Sequence, residues 1–97
     1  MDKNEAIRIA KKYRELVASV LPVKALYLYG SYSKGNYTDY SDIDIAVILA
    51  EPSSDYFRDA PLLWKLGRKV SYLIEPVLLS EDGNPLYNDV IKTGIAI

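Results

Sequence analysis

Two aspartates separated by one isoleucine open a predicted strand, "DIDIAVILA", from Asp42 to Ala50. Because successive side chains of a strand point to opposite faces, both carboxylates project to the same side. Their Cα atoms are then about 6.6 Å apart, at which spacing two carboxylates can hold a pair of divalent ions. Carboxylate oxygens suit Mg²⁺ or Mn²⁺. A plainer alternative stays open, in which Asp42 caps the strand and Asp44 faces solvent.

A second candidate is the Gly30-Ser31 pair, which follows an apolar segment predicted as a buried strand from Val23 to Gly30. Glycine lets a phosphate approach the backbone, and the amides at the start of a helix point outward towards an anion. The serine hydroxyl adds a donor. The alternative is that Gly30 ends the strand and Ser31 caps a short helix.

The composition narrows the chemistry that is possible. The 97 residues include no histidine and no cysteine, which excludes Ser-His-Asp and Cys-His catalysis, His-ligated zinc sites and disulfides. Acid–base or metal chemistry must therefore rest on carboxylates. The net charge is −1 and the cations are scattered along the sequence. We therefore expect no strong nucleic-acid binding, although a few local cations suffice for a nucleotide.

The chain has no apolar run long enough to span a bilayer, and its first residues are too polar for a signal-peptide core. We therefore expect a cytoplasmic protein that does not bind membranes. The length predicts a single domain over residues 1–97 with a thin hydrophobic core. Association with a partner or with a second copy would add buried surface.

The elements that must position these residues alternate between helix and strand. The predicted helices are Lys3 to Val20, a short turn within Ser31 to Ser41, Asp55 or Asp59 to about Lys69, and Leu86 to about Thr93. The predicted strands are Val23 to Gly30, Asp42 to Ala50 and Val70 to Ser80, and Pro76 favours an edge position for the third. The order α-β-α-β-α-β-α predicts an α/β (α+β) fold, in which helices flank a small mixed sheet of three or more strands.

The joint spacing is more specific than either pair alone. Gly-Ser, ten residues and then Asp-x-Asp, with strands on both sides, resembles the signature of the nucleotidyltransferase superfamily with the DNA-polymerase-beta-like core. The stretch "YGSYSKGNYTDYSDIDIAVI" is similar to the minimal nucleotidyltransferases of prokaryotes, and the resemblance covers nearly the whole chain. It implies that fold. It also implies that Gly30 and Ser31 bind the phosphates of a nucleotide and that Asp42 and Asp44 bind the metal.

The resemblance further implies a third carboxylate on the third strand, which activates the attacking hydroxyl in many members. Glu75 is the candidate, although aspartate is common at that position and this chain has glutamate followed by proline. A buried charge in an apolar strand needs a partner, which favours a metal-facing role for Glu75. Four other acids fall in predicted loops and are expected to be solvated: Glu51, Asp55, Glu81 and Asp82.

Two further features of the segment bear on a nucleotide. Lys34 adds a cation near the expected phosphate site. Four tyrosines crowd the same stretch, at positions Tyr29, Tyr32, Tyr37 and Tyr40. An adenine ring can stack on one of them. Packing is the favoured interpretation, because nine tyrosines are spread through the chain.

The activity that the resemblance implies is transfer of a nucleoside monophosphate, AMP from ATP, with two Mg²⁺ ions at the phosphates. Minimal nucleotidyltransferases are commonly encoded beside a helical HEPN-type ribonuclease toxin, for which they act as antitoxin. This implies a hetero-oligomer with such a toxin, one of whose tyrosines accepts the AMP. A homodimer is the other assembly expected.

Two alternatives to this activity stay open. The chain can be a non-catalytic module that neutralises its partner by contact, or a nucleotidyltransferase that acts on a small molecule. The lack of an acceptor-binding domain disfavours the second. No residue indicates the base of the nucleotide.

Overall fold

The computed structural model describes residues 1–81 and 84–97, so that Asp82, which was predicted in a loop, and Gly83 lie outside the described residues. The helices are α1 (Lys3–Ala18), α2 (Ser31–Lys34), α3 (Tyr56–Val70) and α4 (Pro85–Thr93). The strands are β1 (Val23–Tyr29), β2 (Ile43–Leu49), β3 (Ile74–Leu78) and β4 (Ile95–Ala96). The seven predicted elements occur in the predicted order, and β4 is an eighth that was not predicted. No helix of the described ranges is both long and apolar enough to cross a membrane.

The four strands form one mixed sheet in the order β3-β2-β1-β4. Strand β1 is antiparallel to β2 and to β4, whereas β2 and β3 are parallel. The predicted mixed sheet is therefore confirmed. The central strand β2 holds the fully buried residues Ile45, Ala46 and Val47, as its continuous apolar run predicted. Pro76 lies on the edge strand β3, which is also confirmed.

Helices cover the two faces of the sheet unequally. On one face the alternate residues Leu28, Ile43 and Ile45 pack in the main core with residues of α1 and α3. On the other face Ala46 and Ile48 pack with Val90 of α4 in a smaller cluster. Because side chains alternate along a strand, Asp44 points to the face of the smaller cluster.

Local hydrogen bonds set the ends of two helices. Helix α1 ends at Ala18 rather than at Val20, because Ser19 closes its last turn with a hydrogen bond from Oγ to the Leu16 carbonyl at 2.6 Å. Helix α3 begins after Asp55, the first of the two predicted caps, whose carboxylate accepts a hydrogen bond from the Arg58 amide at 3.2 Å.

The third strand is shorter than predicted. Val70 belongs to α3, and the following turn is held by a hydrogen bond from the Leu73 amide to Ser71 Oγ at 3.1 Å, so that β3 begins only at Ile74. Gly67 permits this close packing, because a β-carbon there would stand 3.1 Å from Cγ2 of Ile74. The glycine that weakens the helix thus lets α3 approach β3 closely.

Candidate active site

Three strands bring a tyrosine and two acids to one level of the sheet. Asp44 is the register partner of Tyr29 on β1 and of Glu75 on β3. Register partners on neighbouring strands project to the same face, so these three side chains are adjacent. Asp42 lies one residue before β2 and shares the face of Asp44. The structure therefore places Asp42, Asp44 and Glu75 on one face of the sheet, and their shared role at a site stays a prediction.

Gly30 is fitted against Asp44. Its φ is +73°, a conformation that residues with a β-carbon rarely adopt. A β-carbon on Gly30 would overlap Oδ2 of Asp44 and stand 3.2 Å from its Cγ. Only glycine lets the end of β1 approach the carboxylate this closely. The Gly-Ser pair and the Asp-x-Asp pair are thus two parts of one site.

The turn after Gly30 is short and closed by its own hydrogen bonds. Gly30 itself occupies the cap position of α2, so the alternative that Ser31 caps this helix is wrong. The Gly30 carbonyl accepts from the Lys34 amide at 3.1 Å and from Ser33 Oγ at 3.0 Å. The hydroxyl of Ser31 makes no hydrogen bond within residues 1–81 and 84–97, which leaves it available to a ligand.

Two acids of the site, Asp44 and Glu75, have raised pKa values. Burial, followed by the charges of Glu75 and Asp42, raises the pKa of Asp44 to about 6. Loss of water around Glu75 raises its pKa, as do the charge of Asp42 and a hydrogen bond with it. Burial and then the charges of Asp44 and Glu75 raise the pKa of Tyr29. The site is therefore strongly negative. The charge of Arg68 lowers the pKa of Glu75, but this is the smallest of the effects on that pKa.

The residue types fit a divalent metal, because the three carboxylates supply hard oxygen ligands and a cation would relieve the repulsion that raises the pKa of Asp44 and of Glu75. The positions of these carboxylates fit a metal less well than their chemistry does. In the part of the chain that the structure describes, no three His, Cys, Asp or Glu side chains are grouped as a metal-binding set. The carboxylates thus share a face and interact electrostatically, but they do not converge on one point.

Glu75 differs from expectation in its environment. The prediction that it is a buried charge is wrong, because its side chain is exposed. The reason is that β3 is the edge strand. Its neighbours Ile74 and Pro76 are buried and point to the other face of the sheet. The argument that Glu75 needs a partner because it is buried therefore does not apply.

Lys34 lies on α2 but is engaged by another helix. Its ammonium pairs with Oδ2 of Asp89 on α4 at 3.3 Å, and both side chains are nearly half exposed. Exposed pairs of this kind contribute little to stability and exchange readily with other ligands. Asp89 was not predicted as a neighbour, and nothing in the sequence indicates the pairing.

The tyrosines divide by environment, and packing explains two of the four. Tyr32 is fully buried and stacks on Tyr37, with ring centroids 4.7 Å apart. Tyr40 is 89% exposed. Tyr29 is the one whose register partner is an acid of the site, and sequence reasoning did not separate it from the rest. Its only signal was that it directly precedes Gly30.

The other acids lie apart from the site. Asp55 caps α3, and Glu81 pairs with Lys24. Glu51 and Glu81 line a cavity of about 590 Å³ between the far ends of β2 and β3 and the start of α3. None of the predicted site residues lines this cavity. Asp82 lies outside the described residues. The acid cluster, rather than the cavity, is therefore the candidate active site.

The chain is similar to known proteins over most of its length. The family model described as a nucleotidyltransferase domain matches residues 8–90. A curated protein of Methanocaldococcus jannaschii named "Putative protein adenylyltransferase MJ0604" is 40% identical over 70 residues, which make up 72% of this chain and 64% of that protein. The matched region therefore spans slightly less than two thirds of that relative.

Solved structures share the fold. A structure described as a "putative nucleotidyltransferase from Sulfolobus solfataricus" has a TM-score of 0.70 at 26% identity and covers 97% of this chain and 80% of that chain. A structure described as "the toxin-antitoxin MntA-HpeT mutant-Y104A" has a TM-score of 0.61 at 26% identity and covers 100% of this chain and 72% of that chain. The mixed sheet with flanking helices is thus the fold of these neighbours.

Proposed function

Because the chain belongs to the nucleotidyltransferase domain family, we propose that it transfers AMP from ATP to a hydroxyl of a partner protein. Family membership confirms the resemblance that the Gly-Ser and Asp-x-Asp spacing indicated. The observation that carries the proposed activity is the meeting of Gly30, Asp44 and Glu75 on adjacent strands. The name of the M. jannaschii relative supports AMP and a protein acceptor. We further propose that residues 1–97 form one such domain.

In this proposal Gly30 and Ser31 bind the triphosphate. The absence of a β-carbon at Gly30 lets a phosphate approach the backbone beside Asp44. The Ser31 hydroxyl donates a hydrogen bond to a phosphate oxygen. Lys34 exchanges its exposed pairing with Asp89 for the same phosphates. A single exposed carboxylate is a weak competitor for the lysine against a triphosphate with several negative charges.

The three carboxylates supply the metal ligands. Asp42, Asp44 and Glu75 would hold two Mg²⁺ ions, or Mn²⁺, through their oxygens. Such ions, when bound, neutralise phosphate charge and lower the pKa of an attacking hydroxyl. With its pKa at about 6, Asp44 is mostly ionised at pH 7 and can act as a ligand. The requirement for two ions is part of the proposal.

The transfer itself is a displacement at the α-phosphorus. The acceptor oxygen forms a bond to that phosphorus, the bond from the phosphorus to the bridging oxygen breaks, and pyrophosphate leaves. An oxygen of Glu75 takes the proton of the acceptor hydroxyl. The exposure of Glu75 suits this role, because the acceptor must approach the site from outside the sheet.

For the acceptor we propose a tyrosine of a HEPN-type helical toxin, bound to this chain in a hetero-oligomer. The structural neighbour described as a toxin-antitoxin assembly supports a toxin partner. Glu75 is exposed on the edge strand β3, which leaves room for a protein hydroxyl to approach the acids. Neutralisation would then follow from the AMP group on the toxin.

The test is to incubate the chain with ATP, Mg²⁺ and the HEPN-type protein encoded beside it, and to measure intact masses. We expect one or more AMP-sized additions to the partner and pyrophosphate in solution. No addition would contradict the proposal. The variant Asp42→Ala with Asp44→Ala should add no AMP. If it neutralised the toxin as fully as the wild type, neutralisation by contact would replace the catalytic proposal.

A further inference from the structure

The cations are scattered along the sequence but gathered in the fold. Helices α1 and α3 hold nine of the twelve Lys and Arg residues and three of the thirteen Asp and Glu residues, a net charge of +6. The remainder of the sequence has three cations and ten acids, a net charge of −7. Both helices pack on the same face of the sheet, opposite to Asp44. That face is therefore positive although the chain carries a net charge of −1.

The outward side of α3 arranges its exposed residues in two parallel rows. Its buried residues Asp59, Leu63, Leu66 and Gly67 lie on the inner side. The outer side holds a row of three cations and a second row of two aromatic residues followed by an arginine. Within each row the residues are spaced i, i+7 and i+11, which keeps them on one side of the helix. The cationic row is Arg58, Lys65 and Lys69, and the other row is Phe57, Trp64 and Arg68.

The rings of the second row are unusually accessible. Phe57 is 89% exposed and Trp64 is 40% exposed. The guanidinium of Arg68 lies over the Trp64 ring, 5.1 Å from its centroid, and donates a hydrogen bond to the Tyr72 carbonyl at 2.7 Å. Tyr72 is 80% exposed and lies two residues after the end of the helix. The row therefore continues past the end of α3.

Two of the three cations beside these rings, Lys65 and Lys69, have no competing acid, whereas Arg58 pairs with Asp59 at 3.1 Å. Lys65 and Lys69 form no ion pair within residues 1–81 and 84–97. The single acid of α3, Asp59, is buried and accepts hydrogen bonds from Ser53 and Arg58. Exposed aromatic rings that lie beside unpaired cations on one helix face indicate a binding surface.

We propose that the outward side of α3 binds single-stranded nucleic acid. Bases stack on Phe57, Trp64 and Tyr72, and phosphates lie along the cationic row. Phe57 and Trp64 are about 10 Å apart along the helix, at 1.5 Å per residue, which leaves room for separate bases. Rings and arginine are also common in protein interfaces, but lysine is depleted there, and two lysines stand beside these rings.

Helix α3, which carries this surface, packs on the face of the sheet opposite to Asp44. Arg68 links the surface to the proposed active site, because its charge lowers the pKa of Glu75. The proposed contacts of Phe57, Lys65 and Lys69 with nucleic acid do not involve the three acids of the site. Binding therefore needs neither metal nor ATP and does not depend on the proposed transfer. The net charge of the whole chain predicts weak non-specific affinity for nucleic acid. The two rows of residues on α3 increase this affinity locally.

The experiment is a fluorescence-anisotropy titration of the full chain against a labelled single-stranded RNA oligonucleotide and a matched duplex, without metal or ATP. We expect the single strand to bind more tightly, because its bases are free to stack. Lys65→Ala with Lys69→Ala should lower the slope of log affinity against log salt by about 1.4, at about 0.7 for each phosphate contact. Phe57→Ala should weaken binding about fivefold or more.

Matched controls separate this surface from general charge. Lys24→Ala with Lys92→Ala removes two cations elsewhere, and Tyr40→Ala removes a ring as exposed as Phe57. Both should leave affinity within about twofold of wild type when corrected for net charge. No binding at about 50 mM salt, or equal losses in the control variants, would overturn the proposal. Displacement of the RNA by polyglutamate at equal charge concentration would assign the surface to an acidic protein.

Discussion

The carboxylate of Asp44 occupies the space in which a β-carbon of residue 30 would stand, so that Gly30 and Asp44 are in direct contact. This contact joins the end of β1 to the start of β2 at the level where Tyr29 and Asp44 are register partners. A β-carbon at residue 30 must therefore displace the Asp44 carboxylate. The contact therefore couples the proposed phosphate site to the proposed metal ligands, and several measurements can test it.

Substitution of Gly30 by alanine should reduce both stability and transfer. The positive φ costs about 1–2 kcal/mol for a residue with a β-carbon, and the overlap with Asp44 adds to this. Gly35→Ala is a partial control: Gly35 also has a positive φ, of +82°, and its β-carbon would meet nothing within 4 Å. Its ψ of 6° places it in the left-handed helical region, whereas Gly30 has a ψ of −142°. Urea unfolding and AMP transfer should both separate the two variants. Equal losses of stability would show that the Asp44 contact contributes nothing.

Asp44→Asn should stabilise the metal-free chain at neutral pH. Asp44 has a pKa of about 6 when folded against an ordinary 3.8, so between about pH 4 and 6 the folded chain holds more protons than the unfolded chain. Wild-type stability therefore falls as the pH rises through this window. Urea unfolding in EDTA should find the variant more stable at pH 7 and similar to wild type below pH 4.

The control for this pH dependence is Glu15→Gln on α1, which removes an exposed carboxylate that pairs with no charge in the described ranges. Its stability difference from wild type should not vary with pH in the way that the Asp44 difference does. A pH-independent Asp44→Asn effect would contradict the raised pKa.

Mg²⁺ should stabilise the wild type more than the Asp42→Ala, Asp44→Ala variant. An ion at a hundred times its dissociation constant adds about 2.7 kcal/mol if it binds only the folded chain. The gain should shrink below pH 6, because protonated Asp44 cannot act as a ligand. Thermal unfolding with and without Mg²⁺ measures both effects. A shift of similar size in the double variant would place the ion elsewhere.

Glu75→Gln should lower the rate of transfer by about 10²–10⁴-fold if Glu75 accepts the proton. The loss should be smaller above pH 8, where hydroxide can take the proton instead. Glu81→Gln removes an acid that pairs with Lys24 away from the site and should leave the rate unchanged. Initial rates across pH, at saturating ATP, distinguish the two. An unchanged rate in the Glu75 variant would remove it from the proposed mechanism.

Sequence patterns anticipated the order of the elements because periodicity and breakers act locally. The buried run of β2 and the edge position of Pro76 follow from residue type alone. Strand β4 was missed because two residues, Ile95 and Ala96, show no periodicity, and only pairing with Tyr27 and Leu28 makes them a strand.

The sequence was sufficient to propose the residues of the candidate site, but not to predict their environment. Asp42 and Asp44 followed from alternation along a strand, which is a local rule. The exposure of Glu75, its interaction with Arg68 and the pairing of Lys34 with Asp89 depend on which strands and helices become neighbours. The cations of α1 and α3 likewise come together because both helices cover one face of the sheet. The net charge of the chain does not predict this arrangement.

The register of the sheet also implies an order of assembly for the site. Gly30 and Asp44 meet across the antiparallel β1–β2 pair, which joins neighbouring segments of the chain, whereas Glu75 arrives only when β3 aligns in parallel after the α3 crossover. Closing longer loops costs more entropy, so we expect the Gly30–Asp44 half to form first during folding. Pulse-labelling hydrogen exchange during refolding should then find the amides of β1 and β2 protected before those of β3.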